Sequence, residues 1–194
     1  MIIYIHGFGG SGEGIKAKAF RKYFKGINEK FIAPSLSYIP TLAIKTLEEL
    51  IDSYQDDEVY LIGSSLGGYY ATYLSNMNQV KKIVLINPAT KSYITLKRAL
   101  GKAPSFYDGS NFEWNTNHLK SLEKLNTNNF YKNKFMVLLQ SGDELLDYKD
   151  ALEKYDGAKI IVQEGGNHSF EGIDNYFEKI KEFFEIGINH GKLK

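Results

Sequence analysis

The stretch Val59-Tyr60-Leu61-Ile62-Gly63-Ser64-Ser65-Leu66-Gly67-Gly68-Tyr69-Tyr70-Ala71 decides the fold. An apolar run ends at Gly63, the chain turns at Ser65, and a helix-compatible pattern resumes after Gly67-Gly68. Gly63-Ser64-Ser65-Leu66-Gly67 reads G-x-S-x-G, the spacing of a serine raised on a sharp strand-to-helix turn. A serine held there has a strained backbone. The residues two before and two after it crowd together, so both must lack a side chain. Centring the motif on Ser64 would put Ile62 and Leu66 at the tight positions, so Ser65 is the candidate nucleophile. Leu66 opens the helix, and its N–H can donate to a developing oxyanion. A Gly/Ser-rich turn without chemistry shares these local features. The rest of the chain must therefore supply a base, an acid and a second donor.

Outward from this turn, short apolar runs alternate with helical patterns. Residues 2–5, 30–34, 58–62, 82–86, 135–140 and 159–163 read as six strands, and the near-continuous apolar runs suit strands buried on both faces. Residues 15–24 read as a helix with lysines on its outer face. Thr41 is a plausible N-cap for a helix through Ile44, Leu47, Leu50 and Ile51. Residues 68–76 continue the helix after Ser65. Residues 173–186 form a closing amphipathic helix with Ile173, Tyr176, Phe177, Ile180, Phe183 and Phe184 on one stripe. This pattern predicts one α/β domain over residues 1–194, with about six parallel strands and helices on both faces. Residues 89–133, between strands four and five, exceed an ordinary connection. They hold the only tryptophan, Trp114, and read as an insertion of short helices, a lid or cap beside Ser65; a surface decoration is the alternative.

With 194 residues, 43% apolar and 24% charged, the chain can bury one core. A net charge of +1 gives no argument for nucleic acid. The absence of cysteine excludes disulfides and thiolate chemistry. No apolar run approaches the roughly 20 residues of a membrane span, and the first residues lack the pattern of a signal peptide. A cytoplasmic protein without membrane or nucleic-acid partners is the expectation.

Four histidines compete for the role of base: His6, His118, His168 and His190. A base for Ser65 must come from the C-terminal edge of the sheet. His168, in Glu164-Gly165-Gly166-Asn167-His168-Ser169-Phe170 after the last strand, meets that requirement and follows every candidate acid. The loop after strand five offers Asp143, Glu144 and Asp147 as acid. Asp143 stands nearest the strand, behind Ser141-Gly142, and is favoured to orient the imidazole. Asp147 is better placed to cap the next helix. In the first loop, His6-Gly7-Phe8-Gly9, glycines allow backbone N–H groups to point inward, which makes Phe8 the second oxyanion donor beside Leu66. His6 reads as a loop-fixing residue. The Gly7/Gly9/Gly12 spacing is a weak match to a dinucleotide loop, because no clear helix opens there.

These pieces resemble the α/β-hydrolase superfamily, and within it the small YqiA-like esterases. The resemblance rests on Ile3-Tyr4-Ile5-His6-Gly7-Phe8, on Gly63 to Ala71, on Leu139-Gln140-Ser141-Gly142-Asp143-Glu144-Leu145-Leu146-Asp147-Tyr148 and on Glu164 to Phe170, in that order. It implies hydrolysis of a small-molecule carboxylic ester or thioester with Ser65, Asp143 and His168 as the triad and no metal or organic cofactor. It also implies a sheet that lacks the first two strands of larger hydrolases. A thioesterase, a peptidase with the same triad and a non-catalytic binding protein on this fold are the alternatives. The first loop is more glycine-rich than the resemblance leads one to expect, and residues 89–133 match no motif. Phe106, Tyr107, Phe112 and Trp114 in that insertion are candidates to line an acyl pocket.

Overall fold

The computed structural model describes residues 1–54 and 57–187. His190 lies outside the described residues. The chain begins β1 (Ile2–Ile5), α1 (Ile15–Gly26), β2 (Phe31–Ile32), α2 (Pro40–Asp52), β3 (Val59–Ser64), α3 (Leu66–Leu74) and β4 (Val80–Ile86). An insertion follows with α4 (Ser92–Thr95), β5 (Gly101–Pro104), β6 (Asn111–Trp114) and α5 (Thr116–Lys124). The chain ends with β7 (Phe135–Gln140), α6 (Tyr148–Lys154), β8 (Lys159–Gln163) and α7 (Phe177–Phe183). Six parallel strands form one sheet in the order β2-β1-β3-β4-β7-β8, as the alternating pattern predicts.

Alternate side chains of each strand enter opposite cores. Ile3 and Ile5 of β1, with Phe135, Val137 and Leu139 of β7, pack against α2, α3, α5 and α6. Ile2, Tyr4, Met136 and Leu138 pack against α1 and α7. With both faces covered, the strands need no polar alternation, which explains the continuous apolar runs. The sheet carries its loops to one edge, and the order places β3 centrally with β1 and β4 as its neighbours.

Two local expectations change. Thr41 lies inside α2, because the helix opens at Pro40 with Ile39 as N-cap; the fixed φ of proline suits the first helical position, where no N–H is needed. The insertion is not all helical. Between α4 and α5 it folds as an antiparallel hairpin, Gly101 opposite Trp114 and Pro104 opposite Asn111. Gly101 and Pro104 read as breakers in sequence, yet a two-stranded ribbon tolerates a proline lacking its donor. Asp108 Oδ1 closes the turn by accepting from the Ser110 N–H at 3.1 Å and its hydroxyl at 2.7 Å. Trp114 roots the hairpin: it is fully buried, and its indole N–H donates to the Leu96 carbonyl at 3.2 Å.

Candidate active site

The end of β3 and the start of α3 are forced close together at Ser65. A Cβ on Gly63 would stand 2.5 Å from the Gly67 carbonyl oxygen, and one on Gly67 would stand 2.0 Å from the Ile5 carbonyl oxygen. Only glycine fits at either position. Ser65 itself has φ 54° and ψ −118°, a conformation that side-chain-bearing residues avoid. It is held from both sides. Its N–H donates to the Ile86 carbonyl at 3.1 Å, and its carbonyl accepts from Gly68 at 2.9 Å and Ala89 at 3.1 Å. Strain that the surroundings over-determine in this way is a mark of functional turns.

Ser65 Oγ lies 3.0 Å from His168 Nε2, and His168 Nδ1 lies 2.8 Å and 3.0 Å from the two Asp143 carboxylate oxygens. A carboxylate only accepts, so Nδ1 carries the proton and Nε2 presents its lone pair to the serine hydroxyl. The Asp143 side chain is 2% exposed and His168 18%. Asp143 Oδ1 also accepts from the Leu145 and Leu146 N–H groups, each at 2.9 Å, which fixes the carboxylate plane. Asp147 does what its position suggested: it N-caps α6 by accepting from the Lys149 N–H at 2.9 Å. Glu144, the remaining acid, accepts the backbone N–H of His168 at 2.9 Å. That bond holds its carboxyl below the usual carboxylate range.

The other described histidines have structural duties. His6 Nδ1–H donates to the Gly7 carbonyl at 2.8 Å, while Nε2 accepts from the Leu36 N–H at 3.0 Å. Burial pushes its pKa down, so the ring stays neutral and ties the first loop to the segment after β2. His118 completes a capping box with Asn115 at the start of α5.

The Phe8 and Leu66 N–H groups find no acceptor among the described residues. Leu66 opens α3, where the first N–H groups have no partner within the helix. The first loop abuts the serine: a Cβ on Gly7 would stand 3.2 Å from Ser65 Cβ and 3.7 Å from Oγ. Phe8 and Leu66 both face a cleft of about 290 Å³, walled by Tyr38, Tyr70 and Phe112.

Of the four aromatics expected at an acyl pocket, the structure brings Phe112 alone to the wall of this cleft. Phe112 lines this cleft, stacked on Tyr38 at 4.6 Å and edge-on to Phe8 at 5.4 Å. Phe106 and Tyr107 do not; they sit on the hairpin turn, 74% and 69% exposed. Trp114 does not either, being buried behind Phe8 with ring centres 4.8 Å apart. Strand alternation puts Phe112 and Trp114 on one face of β6, and position along the hairpin separates them: Trp114 lies at its rooted end. The sequence reading missed Asn87 and Gln140, whose side chains hold the loop that carries His168. A polar residue closing each of two apolar strands was the available signal. Among the described residues, no group of three His, Cys, Asp or Glu side chains could hold a metal ion, and no helix is long and apolar enough to cross a membrane.

Solved structures share this architecture. Est1E from Butyrivibrio proteoclasticus, with ferulic acid bound, superposes with a TM-score of 0.77 at 16% identity over 95% of this chain and 87% of that one. Mouse alpha/beta hydrolase domain-containing protein 10 gives 0.76 at 20% identity, over 95% and 89%. In sequence, the chain is 24% identical to a UPF0227 protein of Citrobacter koseri over 191 residues, 96% of this chain and 100% of the relative. It is 25% identical over 187 residues to one from Vibrio cholerae serotype O1, covering 94% and 98%. The α/β-hydrolase fold that the resemblance implies is borne out by these structures. The model of the uncharacterised protein family UPF0227 matches residues 1–185, and the chain belongs to that family.

Proposed function

We propose that the protein is a serine hydrolase that cleaves carboxylic ester or thioester bonds of small molecules through an acyl-enzyme. The observation that carries this reading is the unbroken hydrogen-bonded series from Ser65 Oγ through the His168 ring to Asp143, with the serine on a strained turn. A binding protein on this fold would need none of the three.

In the proposed reaction, Ser65 Oγ attacks the substrate carbonyl carbon as His168 Nε2 takes the hydroxyl proton. Asp143 keeps Nδ1 protonated and stabilises the imidazolium. The Phe8 and Leu66 amides donate to the oxyanion of the tetrahedral intermediate. Nε2–H then protonates the departing alkoxide or thiolate, leaving Ser65 acylated. Water enters, gives a proton to Nε2 and attacks the acyl carbon; the second tetrahedral intermediate collapses to a carboxylic acid as Nε2–H returns that proton to the departing Ser65 Oγ, restoring the hydroxyl and the neutral imidazole. Every proton and electron pair comes from protein, substrate or water. The cleft of about 290 Å³, walled by the first loop and the hairpin rather than by Ser65 or His168, reaches the nucleophile's turn at Leu66 and is the proposed place for the acyl group. Esters of aromatic acids, such as the ferulic acid bound to Est1E, belong in the first panel of substrates.

The test is covalent labelling. A fluorophosphonate probe is expected to modify Ser65 alone, and Ser65→Ala is expected to lower ester hydrolysis by about 10⁴ or more. Labelling at Ser64 or Ser11, or full activity of Ser65→Ala, would overturn the proposal.

A further inference from the structure

We infer that Asn87, working with Gln140, is the positioning residue that sets the His168 base against Ser65; the inference rests on the serine-hydrolase reading above. The loop of residues 166–171 follows β8, and side-chain amides hold its backbone. Asn87, directly after β4, is 3% exposed. Its Nδ2 donates to the Asn167 carbonyl at 3.0 Å and to the His168 carbonyl at 3.3 Å, the peptide groups on either side of the base. Its Oδ1 accepts from the Gln140 N–H at 2.9 Å. Gln140, the last residue of β7, is fully buried. Its Oε1 accepts from the Asn167 and Glu171 N–H groups at 3.0 and 2.9 Å, and its Nε2 donates to the Glu171 carbonyl at 2.7 Å. A Cβ on Gly166 would fall 2.1 Å from that Oε1, so the loop can settle on the amide only with glycine there.

Two facts distinguish positioning from mere support. The carbonyl of Ile86, one residue before Asn87, accepts the N–H of Ser65 at 3.1 Å. Adjacent residues at the tip of β4 therefore hold the nucleophile's backbone and the base's backbone, and they set the separation of Oγ and Nε2. The second fact is conformational. Asn87 has φ 40°, in the left-handed region, at a buried position where glycine would suit the backbone better. All the hydrogen-bonding groups of its side chain are used, and all run between β4, β7 and the base loop. A misplacement of about 1 Å between reacting groups can cost on the order of 10² in rate.

The test uses Asn87→Gly, which accepts the positive φ and deletes the clamp, and Asn87→Asp, which keeps the shape and the acceptor for Gln140 but sets a carboxylate oxygen against two carbonyls. Each is made in the wild-type chain and in His168→Ala. Hydrolysis of p-nitrophenyl butyrate gives kcat and KM, and a fluorophosphonate gives the rate of Ser65 modification. The expected result is a fall of about 10- to 100-fold in kcat and in labelling rate, with KM within about twofold. In the His168→Ala background neither variant is expected to lower the residual rate further, because the group being positioned is gone. Unchanged kcat in the folded variants, or equal losses in both backgrounds, would overturn the inference while His168→Ala remained inactive. A fully active His168→Ala would instead overturn the hydrolase reading, and this inference with it.

Discussion

Ser65 is expected to trade stability for reactivity, and two substitutions measure the exchange. Ser65→Ala removes Oγ and keeps Cβ, so the strain at φ 54° and ψ −118° remains. Ser65→Gly removes both. A residue held in so sparse a region costs roughly 1–3 kcal/mol. Against this gain, glycine adds freedom to the unfolded chain, worth about 0.4–1 kcal/mol. The middle of these ranges leaves Ser65→Gly about 1 kcal/mol more stable than Ser65→Ala. In a protein of this size that is about 2–4 °C in melting temperature. The usual order is the reverse, so the sign alone is diagnostic. Thermal and urea melts of the two variants, with ester hydrolysis measured beside them, supply the readings. Both variants should lose the proposed activity. An alanine variant as stable as the glycine variant, or more so, would refute the claim that the turn stores strain.

Asp143→Asn should cut turnover by up to about 10⁴ with little change in melting temperature, since the neutral amide favours the wrong imidazole tautomer. Asp147→Ala should cost about 1 kcal/mol as a lost helix cap and keep most of the rate; kcat and melts of both variants check the assignment. Phe112→Ala opens the cleft and should change the ranking of short against long p-nitrophenyl esters, whereas Phe106→Ala, on the exposed turn, should leave that ranking alone. Burial lowers the folded pKa of His6, so above an unfolded value of about 6.5 its contribution to stability is complete. As pH falls from there through the folded value, the unfolded chain takes the proton first and stability drops; urea melts should show a shallower acid-side decline in His6→Gln.

The turn at Ser65 was legible because sterics leave glycine as the sole choice at 63 and 67, and such constraints are written directly in sequence. The sheet was legible because its strands are apolar on both faces. Chain order and loop position brought Asp143 and His168 forward, since the acid and the base must reach the same sheet edge as the nucleophile. The hairpin was not legible. Its strands are four residues long and hold a glycine and a proline, and the hairpin is anchored by the buried Trp114, whose indole N–H reaches the Leu96 carbonyl 18 residues away. Aromatic content alone could not separate Phe112, which lines the cleft, from Phe106 and Tyr107, which sit exposed on the hairpin turn. The duties of Asn87 and Gln140 were hidden for a related reason: each bonds to residues 27 to 81 positions away.

The hairpin also links the cleft to the proposed chemistry. Its turn touches the first loop through the backbone: the Phe106 N–H donates to the Gly9 carbonyl at 2.8 Å. Gly9 has φ 67°, and a Cβ there would stand 2.5 Å from the Pro104 carbonyl oxygen, so loop and hairpin meet without space for a side chain. One residue earlier, Phe8 is edge-on to both Phe112 and Trp114. The element that walls the cleft therefore also braces the loop that carries the proposed oxyanion donor, through the Gly9 carbonyl and the Phe8 ring. Under the hydrolase reading, acyl selectivity and transition-state stabilisation share one support. A change at Phe112 shortens the wall but leaves the Phe106–Gly9 bond. A change that displaces the hairpin backbone moves the Phe8 N–H as well, and its effect belongs in kcat for every ester together. Under the same reading the insertion is a wall braced against the first loop, and Phe8, whose ring touches both Phe112 and Trp114, is the residue through which size selection and rate would be coupled.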